Sequence, residues 1–595
     1  MADRRLHLQS LLTAACLITL FGILLAASWI RWYDPLGDFG REAYTAWRVS
    51  LGETLYRDVA YFNGPLSPYV NALVLRLCGP HALSLNLANA IAVLPLTALI
   101  YALFTRVGDR IAGALCAAAF LVMFGFAHLL PVGDYNFISP YSHEVTHGTI
   151  LSLLMLWLLA GDAKTQGRWR VFLAGSVLGL TLLTKAEFGL ASVASVAAFA
   201  WAGTRAGRPL FSGQALIAFV AGAATPPLAG FALFSSALGS REALLAIAGS
   251  WRYLTRPGLL NVPNYAYSLG VSDTTSSVAT AGVWLVLWAV VLVPFLAASL
   301  CTPATRLRRC LVLSACAGYP FLVSALSLKA LPWLGAFRPL PVALLAMLAW
   351  QASHLRVTGA MAEQVPLRVA LLVFASVLLA RTLGHVTVCH YGFALALPGT
   401  LLLFTALTTW LPNALSAAGN YGSAFRAGAL GLVSVLLVIH LAISLRWYSS
   451  KGFLVGKGAN AFLTDGTGPV LAATLAQIER VAAPGTPFLV VPGGALLNVV
   501  ARRPSPTPYV SLFPPELAMF GEGPILSALR RRPPALVVLV RRETSEYGFP
   551  RFGIGYGQQI MAWLAERYSR VAVIGADPLE GSAFGVSLLV PANVQ

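Results

Sequence analysis

From residue 9 to residue 446 the chain is a succession of apolar runs, most of them close to the length that crosses a bilayer. A spanning helix needs about 20 mostly apolar residues, because a rise of ~1.5 Å per residue has to cover about 30 Å of hydrocarbon. Such runs lie near 9–30, 83–105, 111–130, 147–160, 171–184, 188–203, 214–236, 278–300, 309–328, 338–352, 367–382, 390–410 and 425–446. The division of 171–203 rests on Lys185-Ala-Glu187, since charged groups are costly at bilayer depth. Charged residues make up only 11% of the 595 and hydrophobic ones 57%, whereas a soluble domain carries about a quarter charged residues. A surface so poor in charge calls for lipid as its solvent. The expected fold is therefore an α-helical polytopic membrane protein of about thirteen transmembrane helices. The first run has a basic start and no small-residue cleavage site, and is expected to be a retained span.

Lys and Arg outnumber Asp and Glu by 41 to 23. In a soluble chain that excess points to nucleic acid. Here the basic residues sit in short loops between apolar runs, so they read as orientation signals, and no nucleic-acid partner is expected. With thirteen spans, Arg4, Arg5, Arg106, Arg110, Lys164, Arg168, Arg170, Arg205, Arg208, Arg306, Arg308, Arg309, Arg356, Arg368 and Arg426 share one side, assigned to the cytoplasm. The segments 31–82, 131–146, 237–277, 329–337, 383–389 and 447–595 then lie outside. From about residue 450 the long apolar runs stop. Helix-like stretches near 469–483 and 556–568 alternate with strand-like ones near 488–492, 535–540 and 570–574. That alternation predicts a small extracytoplasmic α/β domain at 447–595, following a membrane domain at 1–446. Cys116, Cys301, Cys310 and Cys316 lie in or beside apolar runs and no CxxC pair occurs, so no disulfide framework is expected.

The first outer segment carries Asp34, Asp38, Arg41, Glu42 and Arg48 in one short stretch. A helix starting there would put Asp38 and Glu42 on one face. A carboxylate beside an Arg at the membrane surface can take a proton from an attacking hydroxyl; the alternative is an interfacial helix whose charges are solvated. Lys185 sits between two apolar half-spans, where it either meets an anion such as a lipid phosphate or pairs with Glu187 or another acid. His143-Glu144-Val-Thr-His147 spells HExxH, in which two His at i and i+4 can grip zinc and the Glu can serve as general base. A third ligand is needed, and the later Leu-Asp-Gly of intramembrane zinc proteases is absent. A protease, a non-proteolytic metal site and two interfacial histidines bonded to water and backbone all remain open. The loop 237–277 holds Trp251, Arg252, Tyr253, Arg256, Asn261, Asn264, Tyr265 and Tyr267, and reads either as a lid or as an aromatic belt at the interface. His385 and His390 flank another outer loop.

Several of these motifs resemble the GT-C class of membrane glycosyltransferases, in the branch with protein O-mannosyltransferases and lipid A aminoarabinose transferases. Asp38 and Arg41 stand at the spacing that opens the family's first outer loop. Gly64-Pro-Leu66 to Tyr69 is similar to the proline motif that ends that loop, and Leu183-Thr184-Lys185 to the Leu-Thr-Lys after the fifth span. Looser likenesses are Leu331-Pro-Trp333 to Pro341 and Arg502-Arg503-Pro504. Two departures stand out. Asn63-Gly64 replaces a basic residue found before the prolines in some members. Phe39 follows Asp38 where the protein mannosyltransferases have an Asp-Glu pair, which weakens the case for a protein acceptor.

The resemblance implies an inverting hexosyl- or pentosyltransferase on the outer face of a bacterial cytoplasmic membrane. Its donor would be a polyprenyl-phosphate-linked sugar and its acceptor a hydroxyl on a lipid, glycan or protein. Asp38 would be the base, with Glu42 as second choice. Arg41, Lys185 and Arg256 would hold the donor phosphate, and Asp134, Glu144, Tyr61 and Asn63 the acceptor or sugar. No cofactor is required by such chemistry; a divalent metal, if one takes part, would use His143 and His147. The competing expectations are an intramembrane zinc protease and a lipid or sugar transporter. A transporter predicts broken helices in two related halves, and no such repeat is visible.

Overall fold

The computed structural model describes residues 2–592, except 33, 131–134, 162–166, 208–209, 254–261, 302, 328–332, 356–360 and 389. Among these, ten helices are long and apolar enough to cross a membrane. They are Leu8–Ser28, Ala82–Val107, Ala186–Arg205, Gly213–Leu238, Pro263–Leu300, Arg306–Ser327, Trp333–Ser353, Gln364–Thr382, Gly392–Ala417 and Gly422–Ser450. The chain is a multi-pass membrane protein. The three remaining expected spans are shorter helices: Arg110–Phe120 with a π turn over Leu121–Gly125, His143–Leu159, and Arg168–Leu182. Leu216, Val220, Leu228, Val286 and Leu322 point outward and are exposed, as suits helices bathed in lipid. Without a hydrophobic drive between helices, close packing is the main attraction. The pair Arg168–Leu182 and Gly213–Leu238 shows it. A Cβ at Gly175 would stand 2.1 Å from the Phe219 carbonyl oxygen, and one at Gly222 2.2 Å from that of Phe172.

The break between Arg168–Leu182 and Ala186–Arg205 falls where the charges of Lys185 and Glu187 predict it. A helix break leaves backbone carbonyls without partners, which is costly away from water. The first outer segment supplies the donors. Gly64 N–H donates to the Thr184 carbonyl at 2.7 Å and Leu66 N–H to that of Leu183 at 3.1 Å. The approach is so close that a Cβ at residue 64 would lie 2.1 Å from the Leu183 oxygen. Glycine at 64 is thus a packing requirement.

Loops carrying basic residues meet at one end of the bundle. Arg426 Nη2 lies 2.6 Å from Asp109 Oδ2. Arg368 Nε donates to the Val107 carbonyl at 2.9 Å, and Trp410 Nε1 donates to the same oxygen at 2.7 Å. At the other end sits residues 451–592. A hairpin of β1 (Phe453–Val455) and β2 (Phe462–Thr464) is tied to the end of the first span by Leu463 N–H to the Ile30 carbonyl at 2.8 Å. Beyond it lies a four-stranded sheet of β3 (Phe488–Val491), β4 (Leu536–Val540), β5 (Tyr568–Gly575) and β6 (Gly585–Pro591), in the order β3-β4-β6-β5. β3 and β4 are parallel; β6 is antiparallel to both β4 and β5. The helices Gly468–Val481 and Gln558–Arg567 match the two expected ones. The hairpin and β6 had no counterpart in the sequence reading.

The helix Asp38–Ser50 lies between the bundle and this domain, with Phe39, Arg41, Glu42, Tyr44 and Trp47 buried. Arg41 and Glu42 are buried and Asp38 and Arg48 only partly exposed, which argues against the solvated interfacial-helix alternative. Leu496 packs so tightly on Gly40 that a Cβ there would meet its backbone nitrogen at 2.6 Å. Arg542 Nη1 reaches Asp34 Oδ2 at 3.0 Å, and Ser505 N–H donates to Tyr44 Oη at 2.8 Å. The side chains of Arg542 and Asp34 are only 19% and 16% exposed. Breaking this pair falls between the ~1 kcal/mol of an exposed bridge and the about 3–5 kcal/mol of a buried one. Arg542→Ala is therefore expected to lower the melting temperature and speed tryptic release of the C-terminal domain. Unchanged melting and cleavage would show that the docking does not depend on this pair.

Candidate functional site

A cleft enclosing about 690 Å³, part of it open to solvent, lies where the first outer helix, the bundle and the C-terminal domain meet. Asp38 and Arg41 line it from the helix Asp38–Ser50, whose first residue is Asp38. Lys185 comes from the helix break, Asn264 and Tyr265 from the start of the span Pro263–Leu300, and Arg381 from the end of the span Gln364–Thr382. Glu516, Glu546 and Tyr547 close it from the C-terminal domain. The floor is thus built where spanning helices end.

Arg41 is the hub. Its Nη1 lies 3.0 Å from Asp38 Oδ1 and 2.7 Å from Glu516 Oε1. Nη2 donates to the Tyr141 carbonyl at 3.2 Å, and the guanidinium stacks 5.1 Å from the centre of the Phe62 ring. The Asp38 side chain is 32% exposed, and among the described residues its Oδ2 has no protein partner. Asp38 thereby presents one free carboxylate oxygen to the cleft. Glu516 is nearly covered; burial pushes its pKa up and the Arg41 charge pulls it back.

Lys185 does not pair with Glu187. That carboxylate is bonded to Arg381, whose guanidinium also stands 5.6 Å from the Tyr265 ring. The Lys185 ammonium lies 5.4 Å from the Tyr141 ring, and among the described residues no carboxylate is within hydrogen-bond distance of it. Burial, followed by the nearby Arg381 charge, holds its pKa below the ordinary lysine range. A buried ammonium without an acid partner is unfavourable until an anion arrives.

Behind the cleft wall sits a second layer of polar groups. Glu42 Oε2 accepts from the His143 backbone N–H at 3.1 Å and faces His143 Nδ1 at 3.2 Å. The Asn89 amide nitrogen lies 3.1 Å from His143 Nε2. This fixes the neutral tautomer, with Nδ1–H donating to Glu42 and Nε2 accepting. Glu144 accepts from Tyr61 Oη at 2.6 Å, Ser142 Oγ at 2.6 Å and Asn63 Nδ2 at 3.2 Å. Tyr61 Oη is also 3.4 Å from both Glu42 oxygens. Two buried carboxylates that close cannot both ionise cheaply. Glu42 is met by the imidazole N–H, a backbone N–H and the neighbouring Arg41, while Glu144 is met by three neutral donors.

The HExxH motif is consumed by this network. Both ring nitrogens of His143 and both oxygens of Glu144 are engaged, and His147 Nδ1 lies 2.9 Å from Ser67 Oγ. Among the described residues no three His, Cys, Asp or Glu side chains are grouped to hold a metal. The donor set therefore does not fit a zinc site at His143 and His147, and the protease expectation loses its centre.

Of the other expected site residues, Asn63 lines the cleft. Glu42, Tyr61 and Glu144 are buried behind it, so Glu42 as an alternative base and Glu144 as an acceptor contact do not fit their surroundings. Asp134 and Arg256 lie outside the described residues. Arg252 stacks on its neighbour Tyr253, 4.6 Å from the ring centre, away from the cleft. His385 packs 4.1 Å from the Tyr267 ring and 3.2 Å from Arg338 Nη2. Arg502 contacts His81 at 2.8 Å and Arg503 caps the carbonyl of Ala482 at 3.1 Å, so that Arg-Arg pair braces the outer domain. Arg381, Glu516, Glu546 and Tyr547 were missed. A lone Arg closing an apolar run was a usable signal for Arg381; the others arrive only through tertiary docking.

No family model matches the chain, and no curated protein matches it. Similar solved structures include the Archaeoglobus fulgidus oligosaccharyltransferase tethered with an acceptor peptide, at 12% identity over 98% of this chain and 74% of that one, with a TM-score of 0.48. ArnT from Cupriavidus metallidurans bound to undecaprenyl phosphate is similar at 14% identity over 97% of this chain and 98% of that one, with a TM-score of 0.44. AglB from Archaeoglobus fulgidus, in complex with an inhibitory peptide and a dolichol-phosphate, is similar at 12% identity over 97% and 76%, with a TM-score of 0.46.

Proposed function

We propose that the protein is a membrane glycosyltransferase that moves a sugar from a polyprenyl-phosphate carrier to an acceptor hydroxyl in the cleft beside Asp38. One observation carries this reading. An ammonium with no acid partner and a carboxylate with a free oxygen line one cleft, at the level where spanning helices end. A phosphate anchored in the bilayer arrives at that level, and Lys185 in its protonated form offers it a positive charge with no carboxylate in hydrogen-bond contact among the described residues. The first-loop resemblance to the GT-C class points to the same donor.

The reaction follows from the charges. The acceptor O–H gives its proton to Asp38 Oδ2 as its oxygen attacks the anomeric carbon. The bond from that carbon to the phosphate oxygen breaks on the opposite face, so the configuration inverts in a single displacement. The carrier leaves as polyprenyl phosphate with one more negative charge than it had in the diester. Lys185 meets that charge, with Arg41 and Arg381 close by in the same cleft. Both arginines already neutralise acids, which leaves Lys185 as the cation most changed by the arrival of a phosphate. Preorganised charge of this kind contributes roughly 3–4 kcal/mol per donor. Asn63 Oδ1 is buried with no hydrogen-bond partner among the described residues, an acceptor for a substrate hydroxyl. The C-terminal domain and the cleft occupy the extracytoplasmic side in this reading, and the end bearing Asp109, Arg368 and Arg426 faces the cytoplasm.

Asp38→Asn keeps the shape and removes the base. Turnover with undecaprenyl-phosphate sugars in proteoliposomes is expected to fall by about 10²–10⁴; wild-type turnover would remove Asp38 from the chemistry. Lys185→Ala is expected to lower turnover by roughly 10²–10³ and to weaken binding of undecaprenyl phosphate itself. That binding needs no knowledge of the sugar. Because the Lys185 pKa is depressed in the empty cleft, phosphate binding above neutral pH should take up a proton, read by calorimetry in buffers of different ionisation enthalpy. Identical heats in all buffers would show that Lys185 is not the group the phosphate meets.

A further inference from the structure

A second groove, enclosing about 1520 Å³, runs between the first outer segment and the C-terminal domain. It has more than twice the space of the catalytic cleft and no part in the chemistry described above. One wall is Tyr44, Arg48, Glu53, Arg57 and Asp58; the other is Pro487, the run Pro504–Pro508, Ala528, Arg531 and Arg532. The two acids of the lining are both spoken for. Arg48 holds Glu53, with Nε 2.9 Å from Oε2, and Arg57 holds Asp58, with Nη2 2.9 Å from Oδ2. Arg531 and Arg532 form no salt bridge among the described residues, although the Arg532 charge reaches Asp58, and both are exposed. They follow one another at the C-terminal end of the helix Glu522–Arg531. The groove therefore carries an uncompensated positive charge delivered as two guanidinium forks.

The proline wall narrows the ligand further. Pro504, Pro506 and Pro508 have no N–H. Ser505 N–H is used by Tyr44 Oη at 2.8 Å, and Thr507 N–H by Ser505 Oγ at 3.4 Å. Phe488 N–H takes the Pro504 carbonyl at 3.0 Å, and Ala60 N–H that of Pro508 at 3.1 Å. The carbonyls of Ser505, Pro506 and Thr507 have no intramolecular donor among the described residues. The wall thus offers acceptors and no backbone donors. An extended peptide needs both along an edge. A glycan, rich in hydroxyl donors, needs acceptors. Guanidinium forks add bidentate sites for carboxylate or phosphate.

The groove also adjoins the cleft. Pro508 holds Ala60, three residues from the cleft residue Asn63. Tyr509 packs 5.5 Å from the Phe520 ring, Phe520 6.4 Å from Phe62, and Phe62 lies under Arg41. Groove and cleft are thus separated by one layer of packed aromatic side chains.

We propose that this groove binds an acidic glycan, whose sugars carry carboxylate or phosphate groups, as the acceptor of the transfer. The proposal rests on the transferase reading for its role as acceptor, and on the groove alone for binding. The test uses the full-length protein in nanodiscs with no donor present, so it holds or fails independently of whether Asp38→Asn abolishes transfer. The probes are hexagalacturonate, a phosphomannan oligosaccharide, neutral maltohexaose and hexaglutamate, followed by calorimetry at low salt. Wild type is expected to bind at least one of the two acidic glycans, and the double variant R531A/R532A to bind it about tenfold or more weakly, as expected for losing charge-assisted hydrogen bonds. R531K/R532K, which keeps charge without the fork, should recover part of the affinity, and a wild-type melting temperature of R531A/R532A shows that the alanine variant is folded. Equal binding of maltohexaose, no effect of the alanine variant, or binding of neither acidic glycan overturns the proposal. Tighter binding of hexaglutamate overturns it in favour of an acidic peptide.

Discussion

Burying a guanidinium takes several kcal/mol of solvation away from it, and the loss is recovered only if every neighbour that remains can accept a hydrogen bond or carries negative charge. Arg41 meets that demand at both terminal nitrogens with groups from three distant parts of the chain, its Nε alone having no hydrogen-bond partner among the described residues. Asp38 comes from its own helix, Glu516 from the C-terminal domain, and the Tyr141 carbonyl from the loop before the helix His143–Leu159. None of the three segments can move away without leaving a buried charge short of a partner. The docking of the outer domain, the position of the first outer helix and the aim of the Asp38 carboxylate are thus one electrostatic problem with one solution. It also explains why a helix with so many ionisable groups is buried and not laid on the membrane surface.

The helix break before Lys185 depends on the same arrangement at one remove. A lysine at this depth would be expelled toward water if the chain around it could relax. It cannot, because the freed carbonyls of Leu183 and Thr184 are held by the backbone N–H groups of Leu66 and Gly64. Ala186 N–H is held in turn by Ser250 Oγ at 2.9 Å. Asn63, next in sequence to Gly64, binds Glu144. One short strip of the first outer segment therefore closes the break, lines the cleft and ties down the buried acids.

The sequence was informative where physics is local. Span positions followed from apolar runs, because lipid allows few alternatives, and the division at Lys185-Ala-Glu187 followed from charge. Asp38, Arg41 and Lys185 were legible because ionisable groups are scarce in this chain and each one must be explained. What could not be read was pairing. Glu187 is a nearer acid to Lys185 than any other in sequence, yet it turns to Arg381, which lies almost two hundred residues away in the chain. Glu516, Glu546 and Tyr547 sit in a domain whose strands are short and whose order, β3-β4-β6-β5, inserts the last strand between two earlier ones. No periodicity announces that insertion. The HExxH spacing was a true helical spacing put to another use, since motif geometry fixes which side chains share a face and says nothing of what meets them.

That other use bears on which acid does the work. Asp38 and Glu42 are one turn apart, and either could be read as the base. A base must be reachable by the hydroxyl it deprotonates and must have a free lone pair when the hydroxyl arrives. Glu42 fails on both counts: it is buried, and its oxygens are occupied by His143 and faced by Tyr61 and Arg41.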